Sequence, residues 1–241
     1  MISVITPSHN CADFISATIQ SVLAQTFSDL EMIIVDDCST DDSVEVIQGF
    51  VEQDSRVKLI QLSENFGAAV ARNMAIEAAQ GRYIAFLDSD DLWMSEKLET
   101  QLAFMQSTGC VFSYTAYDKI DEQGNIIGHI GVPEKLSYSF LLKTCSIGCL
   151  TAVYDTAHFG KVLMPLIRKR QDFGLWLRLL KKVDFAYGVN ETLGKYRVRS
   201  DSISANKANT SVYTWRLYRE IEKLSMLKAG YYFMHYAVRG V

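Results

Sequence analysis

Two hydrophobic periods alternate through the first part of the chain. Short apolar runs predict strands at Ser3 to Thr6, at Glu31 to Val35, at Val57 to Leu62 and from Arg82 to Asp88. Between them, apolar residues recur at steps of three and four. Asp13 to Gln25 carries Phe14, Ile15, Ile19, Val22 and Leu23; Asp42 to Gln53 carries Val44, Ile47 and Val51. Ala68 to Gln80 carries Val70, Ala71, Met74, Ala75 and Ala78, with Gly81 past its end. Strands alternating with helices of this length imply βαβ units, right-handed crossovers and an α/β fold with a mostly parallel, Rossmann-like central sheet flanked by helices. Ligands of such sheets bind beyond the carboxyl ends of the strands. Four polar stretches occupy those ends: Thr6 to Asn10, Asp36 to Ser39, Asn65 to Gly67 and Asp88 to Asp91.

The last of these is the sharpest feature. An aromatic and branched run, Tyr83 to Leu87, stops in Asp88-Ser89-Asp90-Asp91. Like charges so close repel, and a divalent cation among the oxygens relieves them. In extended chain Asp88 and Asp90 point the same way and can address one ligand. Aspartates at strand ends also start turns and cap helices, so capping is the plain alternative for Asp91, as it is for Asp36 and Asp37 ahead of Val44. A calcium-binding helix-loop-helix is excluded, because Leu92 and Trp93 stand where an oxygen ligand and a glycine are needed.

Composition sets the frame. The 241 residues are 49% hydrophobic and 22% charged, enough for one well-filled core. No run of eighteen apolar residues and no charged leader with a cleavage site is present, so a cytoplasmic protein is expected. The five cysteines include no C-x-x-C pair and the four histidines no i, i+4 pair, which leaves oxygen as the donor for any metal. A net charge of −4 argues against general nucleic-acid binding, yet the segment from Lys207 onward is about +4 and leaves −8 to the rest. The G-x-G-x-x-G fingerprint is absent after the first strand, which argues against a nicotinamide-binding domain.

Five blocks in order then carry a family resemblance: Thr6 to Asn10, Ser21 to Thr26, Ile34 to Asp41, Asn65 to Asn73 and Phe86 to Asp91. Together they resemble the inverting, GT-A-fold family 2 glycosyltransferases, in particular bacterial enzymes that build surface polysaccharides of the teichuronic acid, capsule and O-antigen type. The resemblance implies transfer of a hexosyl group from a nucleotide diphosphate sugar, most often uridine-linked, to a glycan or polyprenyl-linked oligosaccharide. It implies that Asp37 accepts a hydrogen bond from the base, that Thr6, Pro7 and Gly67 line the base and ribose pocket, and that Asp88 and Asp90 hold Mg²⁺ or Mn²⁺ against the diphosphate, Asp90 more directly. The family's base is an aspartate in a Glu-Asp pair opening a helix; the match is Gln171-Asp172, with glutamine in the first place. Tyr196 to Ser204 resembles a segment that folds over the donor and often has histidine where Arg199 stands, so Arg199 is expected on the phosphate side. The implied division is 1–205 for the catalytic domain, with a donor half at 1–105 and an acceptor half at 106–205, and a helical extension at 206–241.

The second half shows less. Cys110 to Ile120 and Ile126 to Ile130 bracket a turn at Asp121 to Asn125; Tyr138 to Lys143 suggests a short helix and Ile147 to Thr151 a strand. Arg168, Lys169 and Arg170 fit either a phosphate-bearing acceptor or a solvated loop. In the tail, Leu217, Ile221 and Leu224 form a helical stripe, and the aromatics of Tyr231 to Tyr236 fit a helix on a membrane surface, a homodimer contact or packing on the catalytic domain. Two other classes remain: an Asp-x-Asp phosphatase or phosphotransferase, which gives Asp37 no role, and a noncatalytic nucleotide-sugar sensor.

Overall fold

The computed structural model describes residues 1–199 and 207–238. Ten strands among them form one sheet. Strand β1 (Ile2–Ser8) lies between β2 (Leu30–Asp36) and β4 (Tyr83–Phe86), with β3 (Val57–Gln61) outside β2, and all three pairings are parallel. The strand expected to end at Pro7 continues through Ser8, because pairing with β2 persists there after β4 has left, and a proline without N–H is tolerated on that open side. Beyond β4 the sheet turns mixed. Strand β9 (Val153–Asp155) runs antiparallel between β4 and β6 (Phe112–Ile120), followed by β10 (Ala186–Arg197) parallel to β6 and β5 (Leu92–Trp93) at the edge. The parallel character inferred from βαβ alternation therefore holds for the first four strands, and one continuous sheet joins both halves.

Side-chain alternation sorts the core into two layers. Val4, Met32, Ile34 and Ala85 face α1 (Ala12–Leu23), α2 (Ser43–Gln53) and α4 (Lys97–Thr108). Ile5, Ile33, Val35, Ile84 and Phe86 face α3 (Ala68–Ala78) and α7 (Gln171–Leu180). Strands covered on both faces explain the unbroken apolar runs.

The hairpin forms as expected, β6 pairing with β7 (Ile126–Ile130) across a turn in which Asp121 accepts the Asn125 amide at 2.8 Å and Gly124 takes φ +89°. The helix near Tyr138 forms at Tyr138–Leu141. The strand expected at Ile147 to Thr151 does not: Cys149–Thr151 is a 3₁₀ turn. Its carbonyls are claimed from outside, Leu150 O by Trp93 Nε1 at 2.8 Å and Thr151 O by Gln101 Nε2 at 3.0 Å, and the extended segment follows as β9. In the tail, α8 (Lys207–Arg216) passes into a π-helical turn at Leu217–Ile221, and α9 (Met226–Val238) follows. Leu217 and Tyr218 are fully buried in the cluster that holds Phe173 and Trp176, so the Leu217 stripe packs on α7. The 206 boundary and residues 200–204 of the donor-covering segment lie outside the described residues. No described helix is long and apolar enough to cross a membrane.

Candidate active site

The loops after β1, β2 and β3 are sewn together by their own polar groups. Asp36 accepts the Ser39 amide (2.8 Å), Ser39 Oγ (2.5 Å) and Ser8 Oγ (3.1 Å), while Ser39 Oγ takes the Asn10 N–H at 2.9 Å. Asp41 accepts the amides of Ala12 (3.1 Å) and Ser43 (3.0 Å), at the starts of α1 and α2. The capping weighed for Asp36 and Asp37 thus falls to Asp41. The Asp37 carboxylate instead crosses to the third loop, accepting the Phe66 and Gly67 amides, each at 2.8 Å. Gly67 has φ +91° with open space around a would-be Cβ, so backbone conformation rather than crowding calls for glycine there. Thr6 and Pro7 are buried in β1 behind these loops, and Thr6 Oγ1 has no protein partner.

On the far side of β1, Asp88 and Asp90 follow β4. Their side chains stay 28% and 25% exposed, whereas Asp91 is buried and accepts the Arg197 amide at 2.8 Å, so Asp91 does not cap a helix. Arg199 Nη1 lies 3.6 Å from Asp90 Oδ2 and its guanidinium 4.8 Å from the Phe14 ring centre. Burial first, then the Asp88 charge, raise the Asp90 carboxyl, with Arg199 acting against them.

Arg72 organises the rest. Its side chain is 9% exposed and Nη2 donates to Asp88 Oδ1 at 2.5 Å; Nε, also buried, has no protein partner. Burial opposes the Arg72 charge, but Asp88 and Asp172 more than offset it and hold the guanidinium protonated. Asp172, in the first turn of α7, lies near enough for its charge to act on this cation, with a weaker pull than that of its ion-pair partner Asp88. Arg72 lies five residues past Gly67, about 7.5 Å along α3 at the usual rise, so Asp37 and Asp88 are both anchored to the first turns of one helix. Aromatic packing holds the two sides together: Trp176, one turn past Asp172, meets Phe86, two residues before Asp88, edge to face at 5.3 Å. Asn73 adds a second tie, accepting the Met164 N–H at 2.7 Å and donating to Met164 O at 3.0 Å.

Arg72 belongs to the Asn65 to Asn73 block but received no role from the sequence. A lone arginine among the small residues Ala69, Ala71 and Ala75 on the buried side of a helix was the available signal. Cys149 and Cys145 also adjoin the site, but burial raises both thiols, Cys145 to about 12, so neither supplies a thiolate nucleophile at neutral pH. All five cysteines are free. Of the basic cluster, Arg168 is exposed, while Arg170 takes φ +67° at the N-terminus of α7 and turns inward to the Tyr236 hydroxyl.

Two partly exposed carboxylates suit a hard divalent cation, and the Asp88 charge adds to burial in raising the Asp90 carboxyl. Among the described residues no three His, Cys, Asp or Glu side chains converge on a common metal position. A metal held here would need other oxygens, such as phosphate and water, to complete its shell.

The model of Glycosyl transferase family 2 matches residues 3–160. The chain belongs to glycosyltransferase family 2. It is 50% identical over its whole length to the putative teichuronic acid biosynthesis glycosyltransferase TuaG of Bacillus subtilis, covering 96% of that protein. It is 38% identical, again over its whole length, to the Escherichia coli UDP-Glc:alpha-D-GlcNAc-diphosphoundecaprenol beta-1,3-glucosyltransferase WfgD, covering 94% of it. In structure it is similar to S. aureus TarS 1–349 in complex with UDP-GlcNAc, with a TM-score of 0.76 at 21% identity over 96% of this chain and 70% of TarS 1–349. It is also similar to the mannosyltransferase PcManGT of Pyrobaculum calidifontis in complex with GDP-Man and Mn²⁺, with a TM-score of 0.74 at 16% identity over 96% of this chain and 69% of that one. These place the family 2 chain in the GT-A fold expected from its motif blocks. The Asp-x-Asp phosphatase reading gains nothing from them.

Proposed function

We propose that this family 2 glycosyltransferase moves a hexosyl group, with inversion, from a UDP-sugar to a polyprenyl-linked glycan in bacterial surface-polysaccharide synthesis. The observation that carries the reading is buried Arg72, which pairs with Asp88 and feels the charge of Asp172, so that a carboxylate after β4 and one on α7 lie near the same cation. The lipid-linked acceptor is inferred from WfgD, and the uridine donor from WfgD and TarS. Residues 1–105 then serve the donor, 106–205 the acceptor, and 206–241 form a helical extension.

In this mechanism the second carboxylate lone pairs of Asp37, beyond those taken by Phe66 and Gly67, accept from the uracil imide. Thr6, Pro7 and Gly67 wall the base and ribose. Asp88, held in place by Arg72, and Asp90 are the residues that would hold Mg²⁺ or Mn²⁺; that ion, when bound, neutralises charge on the departing diphosphate. Arg199 offers a second, fixed cation on the same side. Asp172 takes the proton of the acceptor hydroxyl as that oxygen forms its bond to the anomeric carbon. The bond from that carbon to the diphosphate oxygen breaks on the opposite face, UDP leaves, and the configuration inverts. Gln171 in place of glutamate removes one neighbouring charge, and Arg72 and Arg170 leave cations beside the base.

The test separates binding from chemistry. Asp172→Asn is expected to lower transfer by about 10²- to 10⁴-fold, the usual contribution of a general base. A Mn²⁺-dependent thermal shift by UDP-sugars should persist in that variant and vanish in Asp90→Asn. A noncatalytic sensor would show the same shift with no transfer by the unaltered chain. Transfer that survives Asp172→Asn unchanged, or goes with retention at the anomeric carbon, refutes the assignment.

A further inference from the structure

Helix α9 has two faces of opposite character. Ala229 and Tyr236 are buried, and Tyr232 and Phe233 pack on the α7 side of the core. On the outside, Leu227, Tyr231, Met234 and Val238 recur at helical steps and are 89%, 46%, 65% and 86% exposed. They make a stripe about 16 Å long at the usual rise per residue. Beside it lies a groove of about 330 Å³ between Tyr138, Leu142, Leu224 and Tyr231. An apolar stripe of this length on a water-facing helix marks a contact surface.

The surrounding charge selects the partner. Helix α9 contains no acidic residue, and the two carboxylates just before it are engaged, Glu220 with Arg216 at 3.0 Å and Glu222 with Lys181 at 2.7 Å. Lys228 is exposed along the stripe, and Lys143 Nζ sits 5.4 Å from the Tyr231 ring centre. A second copy on this face would set Lys228 and Lys143 against their own counterparts, whereas anionic headgroups neutralise them. From this geometry we infer that the outer face of α9 docks on an anionic phospholipid surface, with Leu227, Tyr231, Met234 and Val238 in the acyl boundary and Lys143 and Lys228 at the headgroups. The inner face connects that surface to chemistry: Tyr236 binds Arg170, two residues from Asp172, so docking fixes the α7 N-terminus relative to the bilayer. The inference rests on the proposed function only in supposing that the acceptor is lipid-linked.

The experiment is flotation of the full chain, without donor or acceptor, on vesicles of phosphatidylcholine alone or mixed with phosphatidylglycerol. The chain should float with the anionic vesicles and not with the neutral ones, and raised salt should release it. Leu227→Glu with Met234→Glu should lower the bound fraction roughly tenfold while leaving Tm and transfer to a water-soluble acceptor unchanged. Absence of flotation on anionic vesicles, equal flotation on both kinds, or unchanged flotation of the double variant overturns the inference. So does a dimer of the unaltered chain that the double variant converts to monomer. Because vesicle binding is read without sugar transfer, failure of the Asp172 assignment leaves this result standing.

Discussion

In the first half of the chain, Asp37 and Asp88 stand at the ends of strands whose positions are set by ladder pairing, residue against residue, from Ile2 opposite Leu30 to Ser8 opposite Asp36. In the second half, Asp172 stands on a helix with no ladder to fix it. Its place is set by buried side chains, Trp176 against Phe86 and Phe112, and Phe173 against Tyr218. Backbone pairing tolerates wide variation in the side chains above it, while positioning by packing depends on their shape. Asp172 is thus carried on a part of the fold that side-chain substitution can move.

The largest break in this comparison should come from Trp176→Ala. Loss of a fully buried tryptophan is expected to cost about 3–5 kcal/mol, read by urea unfolding. Trp176→Phe should keep most of the stability and shift kcat more than donor KM, because it loosens α7 while leaving the β1–β4 loops intact. A donor-half origin for Asp172's position would be indicated if donor KM moved instead.

Next in size is Arg72→Met, which leaves Asp88 without its ion-pair partner. Stability should fall by roughly 1–3 kcal/mol, and donor affinity by about tenfold as Asp88 loses its fixed orientation. Arg72→Lys should recover part of the stability and less of the affinity, since an ammonium cannot reproduce the guanidinium's fork. Equal recovery of both would reduce Arg72 to a charge-balancing residue.

A pH-dependent effect concerns Lys97, fully buried in α4 with Nζ 4.3 Å from the Trp93 ring centre and 2.7 Å from Gln101 Oε1. Burial lowers its pKa from 10.5 to about 7. The folded chain then binds fewer protons than the unfolded chain between those values, so this lysine makes stability rise as pH increases from 7 towards 10. Lys97→Met should flatten the rise, seen as a smaller change in Tm between pH 7 and 9.5. An unchanged slope would mean that the Trp93 ring and Gln101 keep the ammonium charged.

What the residues showed without the structure follows from short-range physics. The period-two and period-3.6 patterns located the first four strands and three helices, because each strand is covered on both faces and each helix on one. The carboxylate pair after β4 announced itself by charge density, and the five blocks announced the family. The strand expected at Ile147 to Thr151 failed because Trp93 and Gln101, distant in sequence, take its carbonyls. Arg72 went unassigned for the same reason, since its partner Asp88 is sixteen residues away and meets it only once α3 lies across β1, the neighbour of β4.

Local periodicity thus determined the α/β alternation and the candidate crevice at the strand ends, while the motif blocks of the family pointed to Asp37, Asp88 and Asp90 as its lining. Only tertiary structure decided that the sheet turns mixed beyond β4, that Asp41 does the capping and frees Asp37, that Asp172 comes within reach of the cation paired with Asp88, and that one face of α9 is buried while the other stays bare. Each of these depends on contacts between segments far apart in the chain, and hydrophobic pattern, which reports how a residue relates to its near neighbours, carries no record of them.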